Sequence, residues 1–98
     1  MTVWKEPIQF QWDAGNHEKN WLKHRVTNAE CEEAFFDPHK RLLGSALHAG
    51  HETRYLLVGR TQERRVLFVV FTVRGQTVRV ISARNVNKRE RGLYEETT

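Results

Sequence analysis

The sequence predicts an α+β domain: a short N-terminal strand and two helices, then an antiparallel meander of three or four strands and a C-terminal helix. Three observations carry that expectation. Thr27-Asn-Ala-Glu30 is a helix-opening signature in the first third of the chain. Residues 54 to 84 hold three strand-like runs separated by turns short enough for hairpins. Asn87 to Glu96 then reads as a highly charged helix. Helices that precede and follow the strands, rather than alternating with them, belong to an α+β layout, and they are expected on one sheet face. At 98 residues the chain should form a single domain, 1–98, around one modest core.

The elements follow in order. Ile8-Gln-Phe-Gln-Trp12 alternates apolar and polar residues, as a half-buried strand does. Asp13 then stands where a helix N-cap is expected, and that helix should run to about His24, with His17, Trp21 and His24 on one face. In the capping box, the Thr27 hydroxyl and the Glu30 carboxylate reciprocally satisfy free backbone amides and open a second helix. Cys31, Ala34 and Phe35 share its buried face, and Asp37-Pro38 ends it because the residue before proline avoids helical geometry. Cys31 is therefore read as a small core residue; nothing around it lowers a thiol pKa. Between residues 39 and 52 an edge strand around Leu42-Leu43 should lead into a mobile, histidine-bearing loop.

Arg54 to Gly59, Val66 to Thr72 and Thr77 to Arg84 form the meander. Its middle run, Val-Leu-Phe-Val-Val-Phe, is apolar on both faces and should be central. In the last strand, simple alternation puts Arg79, Ile81 and Ala83 on one side and Val80, Ser82 and Arg84 on the other. The final helix offers only Leu93 and Tyr94 as large apolar surfaces.

Charge is unevenly distributed. Residues 1 to 49 hold six Lys or Arg against seven Asp or Glu, whereas residues 50 to 98 hold ten against five. A basic surface gathered on one part of a small domain suits a polyanion, because neutralising phosphates releases counterions; it also simply confers solubility. One cysteine permits no internal disulfide, no signal-peptide core is visible near the start, and no apolar run approaches a membrane span. A soluble protein of a reducing cytoplasm is expected.

Metal and nucleotide chemistries find little support. The five histidines lack His-Glu-x-x-His spacing, no Cys-x-x-Cys occurs, and the glycines form no phosphate loop. Ser45 and Ser82 lack the context of a nucleophile elbow. Neither a metal nor a cofactor is expected. Phosphodiester chemistry on RNA needs no metal: a base for the 2′-hydroxyl, cations for the crowded phosphorane and an acid for the leaving oxygen suffice. The candidates are Lys23 and His24 after the first helix, Glu52 and Arg54 opening a strand, Arg79 and Arg84 on the last strand, and Arg89, Glu90, Arg91 and Tyr94 beyond it. Plainer roles stand beside these. Lys23 and His24 can complement a helix C-terminus, Glu52 and Arg54 can be an edge-strand ion pair, and Arg89 and Glu90 a solvated helix face. Arg79 and Arg84 fit phosphate best, since guanidinium binds it bidentately and keeps its charge. A noncatalytic basic module that binds nucleic acid or an acidic protein is the alternative.

An ordered set of fragments then resembles a known family. Phe10-x-Trp12-Asp13, Asn20-x-x-Lys23-His24-x-Val26, Glu33-Ala34 with Phe36-Asp37-Pro38, Glu52-x-Arg54-Tyr55, Gly59-Arg60-Thr61, Arg79-x-Ile81-Ser82-Ala83-Arg84, Arg89-Glu90-Arg91 and Tyr94-Glu95 are similar to the BrnT toxins of bacterial type II toxin-antitoxin systems. The resemblance implies a RelE-like fold and an endoribonuclease that cuts RNA to inhibit translation. It also implies a BrnA-type antitoxin, with operator DNA bound only through the complex; no helix-turn-helix pattern appears in this chain. It marks Lys23, His24, Arg60, Arg79 and Arg84 as site candidates, with Glu52 and Tyr94 beside them. Taken with the residue reading, Lys23, His24, Glu52, Arg79 and Arg84 are the catalytic candidates, and Arg54, Arg60, Ser82, Arg89 and Tyr94 the substrate-binding ones. Which of Lys23, His24 and Glu52 is the base stays open.

Overall fold

The computed structural model describes residues 3–47 and 52–95. They form β1 (Gln9–Phe10), α1 (Lys19–His24), α2 (Asn28–Phe36), β2 (Arg41–Leu47), β3 (Thr53–Arg60), β4 (Val66–Arg74), β5 (Thr77–Asn85) and α3 (Lys88–Glu95). A single sheet runs in the order β1-β5-β4-β3-β2. Strands β2 to β5 are the antiparallel meander, and β1 adds to the outer edge of β5 in parallel. The doubly apolar β4 is central, as its composition requires. The histidine-bearing loop around His48 and His51 lies outside the described residues.

The N-terminal segment departs from the expectation. The strand is only two residues long, and Asp13 caps no helix. Asp13 instead closes a turn: its N–H is accepted by Asn16 Oδ1 at 2.7 Å, while its Oδ1 accepts the Gly15 N–H at 2.9 Å. Helix α1 begins only at Lys19, so His17 precedes it and the histidine stripe does not form. Local side-chain bonds outcompeted the helix, which is the usual behaviour of Asp and Asn. Helix α2 matches the expectation, with the Thr27–Glu30 capping box formed in both directions and an extended Asp37 at its end.

One face of the sheet packs against α2. Leu57, Leu67, Val69, Phe71, Val78, Val80 and Ala83 meet Cys31, Ala34 and Phe35, with Trp4 and Val26 completing the cluster. Phe35 stacks edge-on to Phe71 at 4.9 Å and to Trp4 at 5.3 Å, the arrangement favoured by aromatic quadrupoles. Burial pushes the Cys31 thiol up to about 12, with Glu30 and Glu32 adding to it, as suits an inert core residue. Helix α3 lies on the other face, contrary to the one-sided expectation. Alternation in β3 and β4 leaves a second apolar set there, Val58, Val66 and Phe68, and Tyr94 packs against it.

Strand β5 breaks its own alternation. Val70 pairs with Ser82 but Phe71 pairs with Val80, so Ile81 is an unpaired bulge residue. Val80 and Ala83, three apart, are therefore both fully buried on the α2 face. Arg79 and Arg84 consequently emerge on the same opposite face, rather than on different ones.

Candidate nucleic-acid cleft on the open sheet face

Beyond the reach of α3, the sheet face opposite α2 is left open as a cleft of about 780 Å³. Gln11, Glu52, Arg54, Thr72, Arg74, Thr77, Arg79 and Ile81 line it. Three guanidinium groups thus converge from β3, β4 and β5. Thr72 pairs with Arg79 across the β4–β5 ladder, so both project to this face.

Arg79 is held from the side. Its Nη2 donates to Asp13 Oδ1 at 3.0 Å and its Nε to Asp13 Oδ2 at 3.4 Å. That bond from Arg79, with further ones from the Gly15 N–H and the Gln11 amide, brings the Asp13 carboxyl down to about 2. The turn that replaced the expected helix start is thus what aims Asp13 at Arg79. Gly15 leaves the space: a Cβ there would stand 2.7 Å from Arg79 Nη2. Glu52 accepts from Arg74 Nε at 2.9 Å, and that hydrogen bond, with the fields of Arg74 and Arg79, holds its carboxyl below the usual range. Arg54 forms no ion pair with a carboxylate among the described residues.

The expected site residues do not all gather here. Glu52, Arg54 and Arg79 line the cleft, and Ser82, opposite Val70, lies on the same face further along β5. Arg84 also projects to this face, yet its guanidinium is bidentate to Glu90 of α3, at 2.9 Å for both bonds, and lies 4.7 Å from the centre of the Phe68 ring. Arg84 therefore docks the helix. Glu90 is simultaneously the capping partner of Asn87, accepting the Asn87 N–H at 3.0 Å, so one carboxylate starts α3 and ties it to β5.

Lys23 and His24 stand at the end of α1, outside the cleft lining, with Lys23 exposed. Arg65 donates to the carbonyl oxygens of His24 at 2.9 Å and Arg25 at 2.7 Å, and pairs with Glu30 at 3.2 Å. Arg60 is at the opposite end of β3 from Arg54, and Arg89 is exposed on α3. Tyr94 is buried, and its hydroxyl donates to Asp37 Oδ2 at 2.7 Å.

Sequence reasoning missed four residues that shape the site. Asn16 and Asn20 replace a neighbouring strand where β1 stops: Asn16 Nδ2 donates to the Val80 carbonyl at 3.0 Å, and Asn20 Oδ1 accepts the Ala83 N–H at 2.9 Å. Both are almost wholly buried, and they flank the bulge that orients the arginines. Arg74 and Asp13 are the other two, the direct partners of Glu52 and Arg79. Buried asparagine after a short strand was the available signal for the first pair.

Fold and cleft together define a class: a small basic α+β domain that presents arginines on an open sheet face. Residues 12–90 match the family described as ribonuclease toxin, BrnT, of type II toxin-antitoxin system. The chain belongs to the BrnT family, and is a ribonuclease toxin of a type II toxin-antitoxin system. RNA as substrate and an antitoxin as partner follow from that membership. No curated protein matches the sequence. No helix of the described residues is long and apolar enough to cross a membrane.

Proposed function

We propose that this toxin is a metal-independent endoribonuclease that inhibits translation, with the open sheet face as its active site. The observation that carries the reading is the convergence of Arg54, Arg74 and Arg79 on one cleft together with Glu52. Arg54 and Arg79 contact the non-bridging oxygens of the scissile phosphate, where negative charge develops in the phosphorane. Glu52, kept ionised by Arg74, takes the proton of the 2′-hydroxyl. The 2′-oxygen then forms a bond to phosphorus as the bond to the 5′-oxygen breaks. A 2′,3′-cyclic phosphate and a 5′-hydroxyl result, the latter protonated from solvent. Ser82 and Arg89 extend the RNA path, and Arg84 supports it by fixing α3 beside β5. Lys23 and His24, lying off the cleft, are assigned no proton in this reading. A BrnA-type antitoxin covers the arginines with acidic side chains, operator DNA is bound only by the complex, and the pair acts in the cytoplasm.

The test is incubation of the purified toxin with RNA in EDTA, followed by analysis of the ends. Cyclic phosphate ends are expected, with Arg79→Ala slowing cleavage by roughly 10²–10³ and Glu52→Gln removing the acid limb of the pH profile. Cleavage that requires a divalent ion, or is indifferent to Arg79→Ala, would overturn the mechanism. Intact RNA that is nevertheless bound would favour a noncatalytic module.

A further inference from the structure

At the other end of the sheet a second group of arginines has no role in the cleft chemistry. Arg60 at the end of β3, Arg64 in the β3–β4 turn and Arg91 on α3 line a concavity of about 360 Å³. All three are exposed, and none forms an ion pair with a carboxylate among the described residues. Glu95 also lines it, and the nearby Asp37 is engaged by the Tyr94 hydroxyl and by the N–H groups of His39 and Arg60. Within this concavity the apolar members, Val66 and Tyr94, are buried, so it offers cations without an exposed apolar anchor; the exposed Phe36 lies in the neighbouring hollow that Arg60 and Arg64 also border, beside Glu32 and Glu33. That balance suits a phosphodiester backbone better than a folded protein, whose interfaces centre on desolvated anchors.

Arg64 supplies a separate argument. Its φ is 68°, a left-handed conformation in which glycine or asparagine is the comfortable choice. The turn imposes it through the Thr61 N–H to Arg65 carbonyl bond at 2.8 Å and the Arg64 N–H to Thr61 carbonyl bond at 3.0 Å. The turn thus fixes the backbone from which the exposed Arg64 guanidinium borders the concavity.

We propose that Arg60, Arg64 and Arg91 form a second RNA-binding site, which grips the backbone of the substrate at a distance from the cleft. The proposal rests on the ribonuclease reading for the identity of its polyanion. Arg54 and Arg60 are separated by six strand positions, so the two sites stand roughly 20 Å apart. A stacked strand advances about 3.4 Å per nucleotide and an extended one roughly twice that, so an RNA of about 3 nucleotides fills only the cleft and one of about 20 reaches both.

The experiment is a salt titration of binding, by fluorescence anisotropy, with labelled RNAs of both lengths and Glu52→Gln toxin to keep them intact. Adding Arg64→Gly or Arg91→Gln should flatten the plot of log K against log salt by about 0.7 for each phosphate that is no longer neutralised, for the long RNA only. Arg64→Gly should fold at least as stably as the parent, since it relieves the turn, which tells a weakened grip on RNA apart from misfolding. In the active background, both variants should raise KM on long RNA and leave the short one unchanged. Unchanged slopes on long RNA, or equal losses on short RNA, would overturn the second site. So would variants that weaken only antitoxin binding, which would assign the patch to protein. If the toxin cleaves nothing but the slopes on long RNA still flatten, the cleavage mechanism fails and this site stands.

Discussion

Replacing Tyr94 with Phe separates a catalytic tyrosine from an architectural one. The structure places the phenol 5% exposed and its acceptor Asp37 6% exposed, with a 2.7 Å bond between them. A hydrogen bond to a buried charge contributes about 1.5–3 kcal/mol. In a domain of this size that corresponds to a fall in Tm of roughly 6–24 °C. Burial alone would raise the Asp37 carboxyl, but bonds from Tyr94 and from the His39 and Arg60 N–H groups hold it below its usual value. Asp37 therefore contributes stability that is present above the unfolded carboxyl pKa and lost as pH falls through the lower folded one. Tyr94 shifts the other way: burial first, then Asp37, pushes it up to about 12. Its contribution is complete below the unfolded value of about 10 and lost as pH rises through about 12. Denaturant and thermal melts of Tyr94→Phe across pH should thus show a deficit at neutral pH that narrows at both extremes. Below its lowered Tm the variant should cleave RNA within a few-fold of the parent, since Tyr94 is no part of the cleft. An unchanged Tm, or a folded variant that has lost cleavage by orders of magnitude, would refute the architectural role.

Two further substitutions probe the packing beneath the site. Gly15→Ala sets a methyl 2.7 Å from Arg79 Nη2 and 3.2 Å from Asp13 Oδ1. The flexible guanidinium gives way, so melts should be unchanged while cleavage falls by up to about a hundredfold, the scale of an ångström of misplacement; full activity would show that Arg79 needs no positioning by Asp13. Gly59→Ala meets backbone instead, since its methyl would overlap the Ala34 carbonyl oxygen and stand 3.0 Å from the carbon. Helix α2 must move off β3, at a cost of about 1–3 kcal/mol or more, read as a lowered midpoint in urea; an unshifted midpoint would mean that α2 is free to shift on β3 without loss.

The strands were legible because their patterns were strong: β4 was apolar on both faces and took the centre, and Thr27 with Glu30 marked the start of α2 within one residue. Asp13 was misjudged because aspartate serves turns as well as helix caps, and only the tertiary partner Arg79 shows which use prevails. Helix α3 landed on the opposite face because its partner set, Val58, Val66 and Phe68, becomes visible only when β3 and β4 are placed in register. For the candidate site, the charge asymmetry lay in the second half of the chain, and Arg54, Arg74 and Arg79 of that half line one cleft. It could not distinguish the cleft arginine at 79 from the helix-docking arginine at 84, since that depends on Glu90 reaching back across six residues. Lys23 and His24, candidates from the residues and from the resemblance alike, stand off the cleft because the chain around α1 meets the edge of β5 through Asn16, Lys19 and Asn20, with Lys19 Nζ donating to the Ile81 carbonyl at 3.3 Å.

The bulge at Ile81 makes the charge on the open face a matter of parity. Between Arg79 and Arg84 lies an odd step, which in a regular strand would send one guanidinium towards the α2 core. One unpaired residue resets the count, and its effect derives from occupying a place in the chain rather than from its side chain. The length of this short segment is therefore more tightly constrained than its composition. Exchanging the Ile81 side chain leaves the parity intact, but removing the residue would turn either Arg79 or Arg84 inward, among the apolar side chains of the described core.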